Sequence, residues 1–315
     1  MIADKKLLVV GELNVDLILN NIQGFPKIGS EIVANTMNFT LGSSSAILAS
    51  NISAMGVKTS FCGMVGDDEF GRFVVQELEN KNVDTQFIKK ASTAKTGITV
   101  VMSYDQDRAN VTYCGAMEDL TINEIPWGQI ADFNHFHLSN FFLQKGITKD
   151  IVAIFRKAKE AGLTTSLDLQ WDPDNQWDFD YKACLPFVDI FLPNEAELLA
   201  LSGKDNLEDA EKELLPHSNI IALKMGEKGA KVLTKNSGFT AEPFHNRTYK
   251  DSIGAGDSFN AGFVKKYLDD ASLEECLHHA NLMGSLNTTK RGGTTAFASP
   301  EAIEEQKKKI LKKEL

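Results

Sequence analysis

Short β-type apolar runs alternate with helical patterns along most of this chain, and that alternation narrows the available folds more than any other feature. Leu7-Leu8-Val9-Val10 is a continuous apolar run suited to a buried strand. Residues 43–55 are rich in small side chains, read as a helix, and stop at Gly56. Phe70, Phe73, Val74 and Leu78 mark one helical face, and Ile151, Ile154, Phe155 and Ala158 another, with Gly162 placed for a C-terminal cap. Further strands are expected at 165–169, 189–192 and 220–224, and helices at 255–268 and 273–288. Strand, helix, strand, helix predicts an α/β fold, with a parallel sheet covered by helices on both faces.

Two regions break the rhythm. Residues 16–40 and 96–114 carry alternating or β-branched runs without an intervening helix, and Asp105-Gln106-Asp107 suits a hairpin turn between two of them. They are expected to form a small accessory sheet. Residues 231–233 and 239–244, split by Asn236-Ser237-Gly238, read as another hairpin, and the Lys-rich tail (307–309, 312–313) as a solvated helix face.

Composition excludes some functions. With 33 basic against 43 acidic residues the formal charge is −10, which offers no footprint for nucleic acid or an anionic membrane. Cys62, Cys114, Cys184 and Cys276 are far apart and form no C-x-x-C pair, so reduced thiols are expected rather than a disulfide scaffold or structural zinc. The apolar run after Lys5-Lys6 ends within four residues, too short for a signal peptide or a membrane span, which reads as a cytoplasmic protein.

Three segments carry the chemistry. In Asp251-Ser252-Ile253-Gly254-Ala255-Gly256-Asp257, small residues let the backbone turn tightly and present N–H groups at the start of a helix, a site for phosphate oxygens. Asp257 in that first turn is placed to take a proton from an attacking hydroxyl. The same spacing equally suits a favourable first-turn acid behind a tight loop. Asn194-Glu195-Ala196-Glu197 follows an expected strand. It fits a capping box, or an Asn reaching a phosphate with Glu197 holding water around Mg²⁺. In Gly11-Glu12-Leu13-Asn14-Val15-Asp16, the side chains of Asn14 and Asp16 share one face of an extended chain, as a polar strand edge or as partners for vicinal hydroxyls. Asn14/Asp16, Asn194 and Gly226 each follow an expected strand at its C-terminal end, the edge where open α/β sheets bind ligands.

Other motifs are excluded. There is no G-x-x-x-x-G-K-[ST], and Gly254-Ala255-Gly256 lacks the third glycine of a dinucleotide fingerprint. His135 and His137 share a strand face without an acid cluster and read as core or edge residues, while His278-His279 point apart. Ser43-Ser44-Ser45 has no G-x-S-x-G context.

Together these segments resemble the ribokinase-like (PfkB) carbohydrate and nucleoside kinases. The likeness runs in order through Gly11 to Asp16, the helix after Gly42, Val65-Gly66-Asp67-Asp68-Glu69-Phe70-Gly71, Thr96-Gly97-Ile98-Thr99, Gly115-Ala116, Asn194 to Glu197, Lys224 to Gly229, and Asp251 to Phe259. The last looks like the family's D-T-x-G-A-G-D signature. The resemblance implies one Rossmann-like three-layer sandwich over 1–315, with a small β-sheet lid from about 12–40 and 96–115. It implies Asp257 as base, an anion hole from the amides of Gly254, Ala255 and Gly256, and acceptor contacts from Asn14, Asp16, Gly42 and Ser43. Asn194, Glu197, Lys224, Gly226, Gly229 and Asn281 fall on the nucleotide side, with Mg²⁺ held through water by Glu197. Asp251 and the backbone of Ile253 match a monovalent-cation (K⁺) site used by some members.

The chain departs from the pattern where the first signature has paired glycines and a later Asn: Leu41 and Ala46 stand there. Asp168-Leu169-Gln170-Trp171-Asp172 follows the D-x-N-x-R pattern of fructokinase-type members only in part, and Trp171 and Trp177 either shape the pocket or pack the loop. The expected reaction is transfer of the ATP γ-phosphoryl group to a primary hydroxyl of a fructose- or ribose-like sugar. A nucleoside acceptor is the alternative, and a catalytically idle ligand sensor is the alternative of another class. Exposed lid strands favour a homodimer.

Overall fold

The computed structural model describes residues 5–104, 108–244, 246 and 248–312; the hairpin turn expected at 105–107 and Lys313 lie outside them. In chain order the elements are β1 Lys6–Val10, β2 Asn14–Asn20, β3 Thr36–Leu41, α1 Ser44–Ala54, β4 Lys58–Val65, α2 Glu69–Asn80, β5 Asp84–Lys90, β6 Gly97–Ser103 and β7 Arg108–Tyr113. Then come β8 His135–Ser139, α3 Ile151–Glu160, β9 Thr164–Asp168, α4 Tyr181–Cys184, β10 Ile190–Phe191, α5 Glu195–Ser202, α6 Leu207–Leu214 and β11 Ile220–Lys224. The chain closes with β12 Ala230–Leu233, β13 Gly238–Ala241, α7 Ala255–Leu268, α8 Leu273–Asn287 and α9 Pro300–Leu311.

A nine-stranded sheet runs β13-β12-β11-β10-β9-β8-β1-β4-β5. It is parallel from β5 to β11 and antiparallel across β11/β12 and β12/β13. The alternation along β1 shows why it has two helical layers. Leu8 and Val10 join a core with Phe155 of α3 and Leu198 of α5, while Leu7 and Val9 join another with Leu48 of α1 and Phe263 of α7. These four β1 side chains are fully buried, as a strand covered on both faces requires.

The irregular regions form a separate four-stranded sheet, order β3-β2-β6-β7. β2 pairs antiparallel with β3 and parallel with β6. The chain passes between the two sheets between Val10 and Asn14. The hairpin expected over 231–244 is shorter than its apolar pattern, ending at Ala241 just before Pro243. In the tail, Lys307 and Lys309 pair with Glu304 and Glu305 one turn earlier. No helix among the described residues is long and apolar enough to cross a membrane.

His135 and His137 are fully buried in one continuous chain of hydrogen bonds. His137 Nε2 lies 2.6 Å from Ser139 Oγ, Ser166 Oγ joins the two rings at 2.7 Å from each, and His135 Nδ1 lies 2.7 Å from Thr164 Oγ1. Thr164 Oγ1 donates to the Asn134 carbonyl, and a single direction of donation along the series satisfies every group with both imidazoles neutral, in line with the lowering of both pKa values by burial. They are satisfied core residues.

Candidate active site

The turn from β1 into β2 builds one wall of the cleft. Asn14 Nδ2 donates to Thr99 Oγ1 (2.9 Å) and to Asp16 Oδ1 (3.1 Å). Gly42 closes on the pair: its N–H donates to the Asn14 carbonyl, and a Cβ there would stand 2.3 Å from Asp16 Oδ1. Only glycine leaves both side chains in place. Burial pushes the Asp16 carboxyl up to about 6, against the Asn14 hydrogen bond. Ser43 lines the same cleft, but its hydroxyl caps α1, accepting from Ala46 N–H (2.8 Å) and donating to the Glu12 carbonyl (2.6 Å).

Glu12, which no motif singled out, is 1% exposed beneath this wall. Ser44 Oγ (2.8 Å) and Ser45 Oγ (2.5 Å) donate to its carboxylate. Burial raises its pKa despite those donors and Asn140. The serine run therefore turns inward onto an acid, which keeps this wall polar although Ala46 stands in place of an amide.

A second polar cluster lies at the ends of β9 and β11. Asp168 is fully buried and accepts from Lys224 Nζ (3.0 Å), Gln170 Nε2 (2.9 Å) and Asn260 Nδ2 (2.5 Å). Burial alone would push the Lys224 ammonium down, but Asp168, Glu197 and Asp257 around it hold its pKa above the ordinary value. Asp257, in the first turn of α7, accepts from Gln170 Nε2 at 3.3 Å. Burial and the nearby Asp168 charge raise its pKa well above the carboxylate range, with Lys224 opposing. A buried carboxyl of that kind is a stronger proton acceptor than a solvated one.

Lys224 also joins this cluster to the other half of the site. Asn194 pairs with Lys224 across a parallel bridge, and the Asn194–Glu197 capping box is complete in both directions. The cap and the site position coexist. Glu197 is buried, and its carboxyl is raised by burial and Asp168 while Lys224 opposes. Gly226 opens the turn after β11 at φ 57°, and Gly229 closes it. Asn281 Nδ2 donates to the Ala241 and Glu242 carbonyls. It anchors the end of β13 to α8.

Gly254 caps α7 in the left-handed region at φ 75°, where a Cβ would also stand 2.5 Å from Gly293 Cα. Of the three expected anion-hole amides, Ala255 N–H is committed to the Ser252 carbonyl (3.1 Å). Gly256 and Asp257, in the first helical turn, have no intrahelical acceptor for theirs. At the expected cation site the groups already have partners within the protein. Asp251 accepts the Ile253 and Gly292 N–H groups, while the Ile253 carbonyl accepts Asn287 Nδ2 at 2.6 Å. One acceptor position of that carbonyl is thus taken by a protein amide.

Glu12, Asn14, Asp16, Ser43, Gln170, Trp171, Gly254 and Asp257 meet in one cleft of about 250 Å³, with Arg108 of β7 on its far side. Trp171 lines the cleft and rests edge-on against Trp177, which packs on Phe142. One tryptophan shapes the pocket and the other supports the loop. Asp168, at the C-terminal end of β9, was findable by position alone; Asn260 and Arg108 carried no local signal. Among the described residues no three His, Cys, Asp or Glu side chains gather to hold a metal on their own. Glu197 beside Lys224 fits a Mg²⁺ ion that arrives with phosphate oxygens and keeps its waters.

The model of the pfkB family carbohydrate kinases matches residues 4–300. The chain belongs to this family. It is a sugar kinase, a phosphotransferase. The ATP-dependent ribose-1-phosphate kinase of Halopiger xanaduensis is 29% identical over 92% of this chain and 94% of its own length. A probable fructokinase-4 of Arabidopsis thaliana is 27% identical over 96% and 97%. The structure of Arabidopsis thaliana ribokinase with ribose and ATP superposes with a TM-score of 0.81 at 22% identity, over 98% and 99% of the two chains, and shows the shared fold. The kinase thus has the three-layer α/β architecture of the ribokinase-like proteins.

Proposed function

We propose that this kinase moves the γ-phosphoryl group of ATP to a primary hydroxyl of a fructose- or ribose-like sugar, with Asp257 as the base. One observation carries the reading: the buried Asp257 carboxyl, raised in pKa, opens into the same cleft as the Asn14–Asp16 pair. Asn14 and Asp16 suit the vicinal hydroxyls of a sugar ring, and the relatives named above are a ribose-1-phosphate kinase and a probable fructokinase.

Asp257 takes the hydroxyl proton, and Gln170 orients its carboxylate. The Gly256 and Asp257 amides, at the positive end of α7, stabilise charge on the transferred group, and Lys224 offsets the acids around it. Asn194, Gly226 and Gly229 lie on the nucleotide side. Mg²⁺ entering with ATP, near Glu197, would neutralise phosphate charge. The four-stranded sheet serves as a lid over the cleft, excluding water from the transfer. Its exposed apolar side chains, among them Met37, Val111 and Tyr113, support pairing between two copies. Trp171, 48% exposed at the cleft, supports a nucleoside as the second reading, since a base can stack on it.

The test is coupled ADP release with Mg-ATP across hexoses, pentoses, sugar phosphates and nucleosides, alongside Asp257→Asn. Turnover should depend on one sugar class and fall by about two to four orders of magnitude in the variant, the range of a general base. Near-full turnover in Asp257→Asn would reject Asp257 as the base, and a nucleoside preference would select the second reading.

A further inference from the structure

The turn that leads into the first helical turn of α7 is braced by two buried asparagines. Asn287, the last residue of α8, is fully buried and donates through Nδ2 to the Ile253 carbonyl at 2.6 Å. Asn51 of α1, also fully buried, donates to the Gly293 carbonyl at 2.9 Å and to Ser258 Oγ at 2.9 Å. Between them lies Gly254, where a side chain would run into the α-carbon of Gly293, while one at Gly293 would run into Ile47. Asp251 completes the frame by accepting the Ile253 and Gly292 N–H groups. The Asn287 and Asp251 bonds fix the backbone of Ile253, next to Gly254, the residue that caps α7, and the others fix Ser258 and the 292–293 segment that packs on Gly254.

The amide nitrogen faces the Ile253 carbonyl, and Asn287 Oδ1 is left buried without a protein hydrogen-bond donor. The donor takes up one of the two acceptor positions of a carbonyl that a cation would otherwise use. We propose that Asn287 is a positioning residue that holds the 251–254 turn in place of a monovalent cation, making phosphoryl transfer by this kinase independent of K⁺. The proposal rests on the reading that the first turn of α7 receives the transferred phosphoryl group.

The test compares wild type, Asn287→Asp and Asn287→Ala in tetramethylammonium, Na⁺ and K⁺ buffers. Asn287→Asp keeps the shape but sets an oxygen against the Ile253 carbonyl, a contact that only a proton or a cation between them relieves. Wild-type turnover should be equal in the three buffers. In tetramethylammonium, Asn287→Asp should lose about tenfold in kcat, the rate equivalent of one buried hydrogen bond, with the acceptor KM unchanged. K⁺ or Na⁺ should restore it. Asn287→Ala should lose a similar factor. Severalfold K⁺ activation of wild type would overturn the proposal, and so would full kcat for both variants in tetramethylammonium.

Melting temperature and affinity for a non-hydrolysable ATP analogue are read in the same buffers and need no acceptor. K⁺ should leave both unchanged in wild type and raise the melting temperature of Asn287→Asp. A K⁺-induced rise in wild type would also overturn the proposal. If no acceptor turns over while these readouts behave as expected, the failure lies with the phosphoryl-transfer reading and not with Asn287.

Discussion

Replacing Lys224 with methionine keeps a long apolar stem and deletes one charge. That charge lies 3.0 Å from a carboxylate oxygen of Asp168, which is fully buried. At an effective dielectric of about 20, two unit charges so close attract by about 5 kcal/mol. Removing one partner of a buried pair costs about 3–5 kcal/mol, because the survivor stays desolvated. Gln170 and Asn260 still donate to Asp168, which places the expected loss at the lower end, about 3 kcal/mol. Asp168→Asn strands the ammonium instead, with Glu197 and Asp257 as partial compensation. In the double variant neither charge remains. Its cost should fall short of the sum of the single costs by about 2 kcal/mol. Urea unfolding at pH 7.5, followed by far-ultraviolet circular dichroism, measures the full cycle, provided the slope against denaturant is unchanged. A loss below about 1 kcal/mol for Lys224→Met, or single effects that add within about 0.5 kcal/mol, would refute the view of Lys224 as the charge that makes this acid cluster tolerable.

Gly42→Ala places a methyl carbon 2.3 Å from Asp16 Oδ1 and 2.8 Å from Asn14 Nδ2. It should cut kcat/KM for the acceptor by about 10–100-fold, as displaced positioning groups do, while KM for ATP stays put; steady-state kinetics with each substrate varied would show an unchanged acceptor term if the pair is not at the acceptor. Burial lowers the His137 pKa to about 3 and that of His135 well below 6.5, so the unfolded chain binds these protons more readily than the folded one. Their contribution is complete above pH 6.5 and is lost as pH falls toward 3, by up to about 1.4 kcal/mol per pH unit for each ring. Urea midpoints for His137→Asn should fall less steeply over that window than those of wild type, and parallel curves would contradict the neutral, buried imidazole.

The layered sheet was legible because strands buried on both faces are apolar throughout, as in Leu7 to Val10, and its helices carry one apolar stripe, as around Val74 and Leu78. β10 was harder. Only Ile190 and Phe191 pair on both sides, and the flanking Asp189 turns its carboxylate to Lys159 and Thr165. At the site, glycines and first-turn acids announce themselves locally, so Gly254 and Asp257 could be read from a few consecutive residues. Glu12 could not, because its partners Ser44 and Ser45 are distant in sequence and meet it only when β1 and α1 pack. Nor could the Ile253 carbonyl, whose occupant comes from the end of α8. Backbone groups have no letter in a sequence, and what satisfies them is a tertiary fact.

The chain crosses between the two sheets four times, at residues 11–13, 42–43, 91–96 and beyond Tyr113. β1 is locked between β4 and β8, while β2 is an inner strand of the smaller sheet, and only residues 11–13 separate them. Asn14 and Asp16 therefore ride on the smaller sheet, whereas Asp257 is fixed to the larger one. On the proposed reading, the acceptor groups and the base therefore stand on different sheets. Any displacement of one sheet against the other would then change at once how a sugar is gripped and how far its hydroxyl stands from the carboxylate. Grip and alignment would be a single mechanical coordinate.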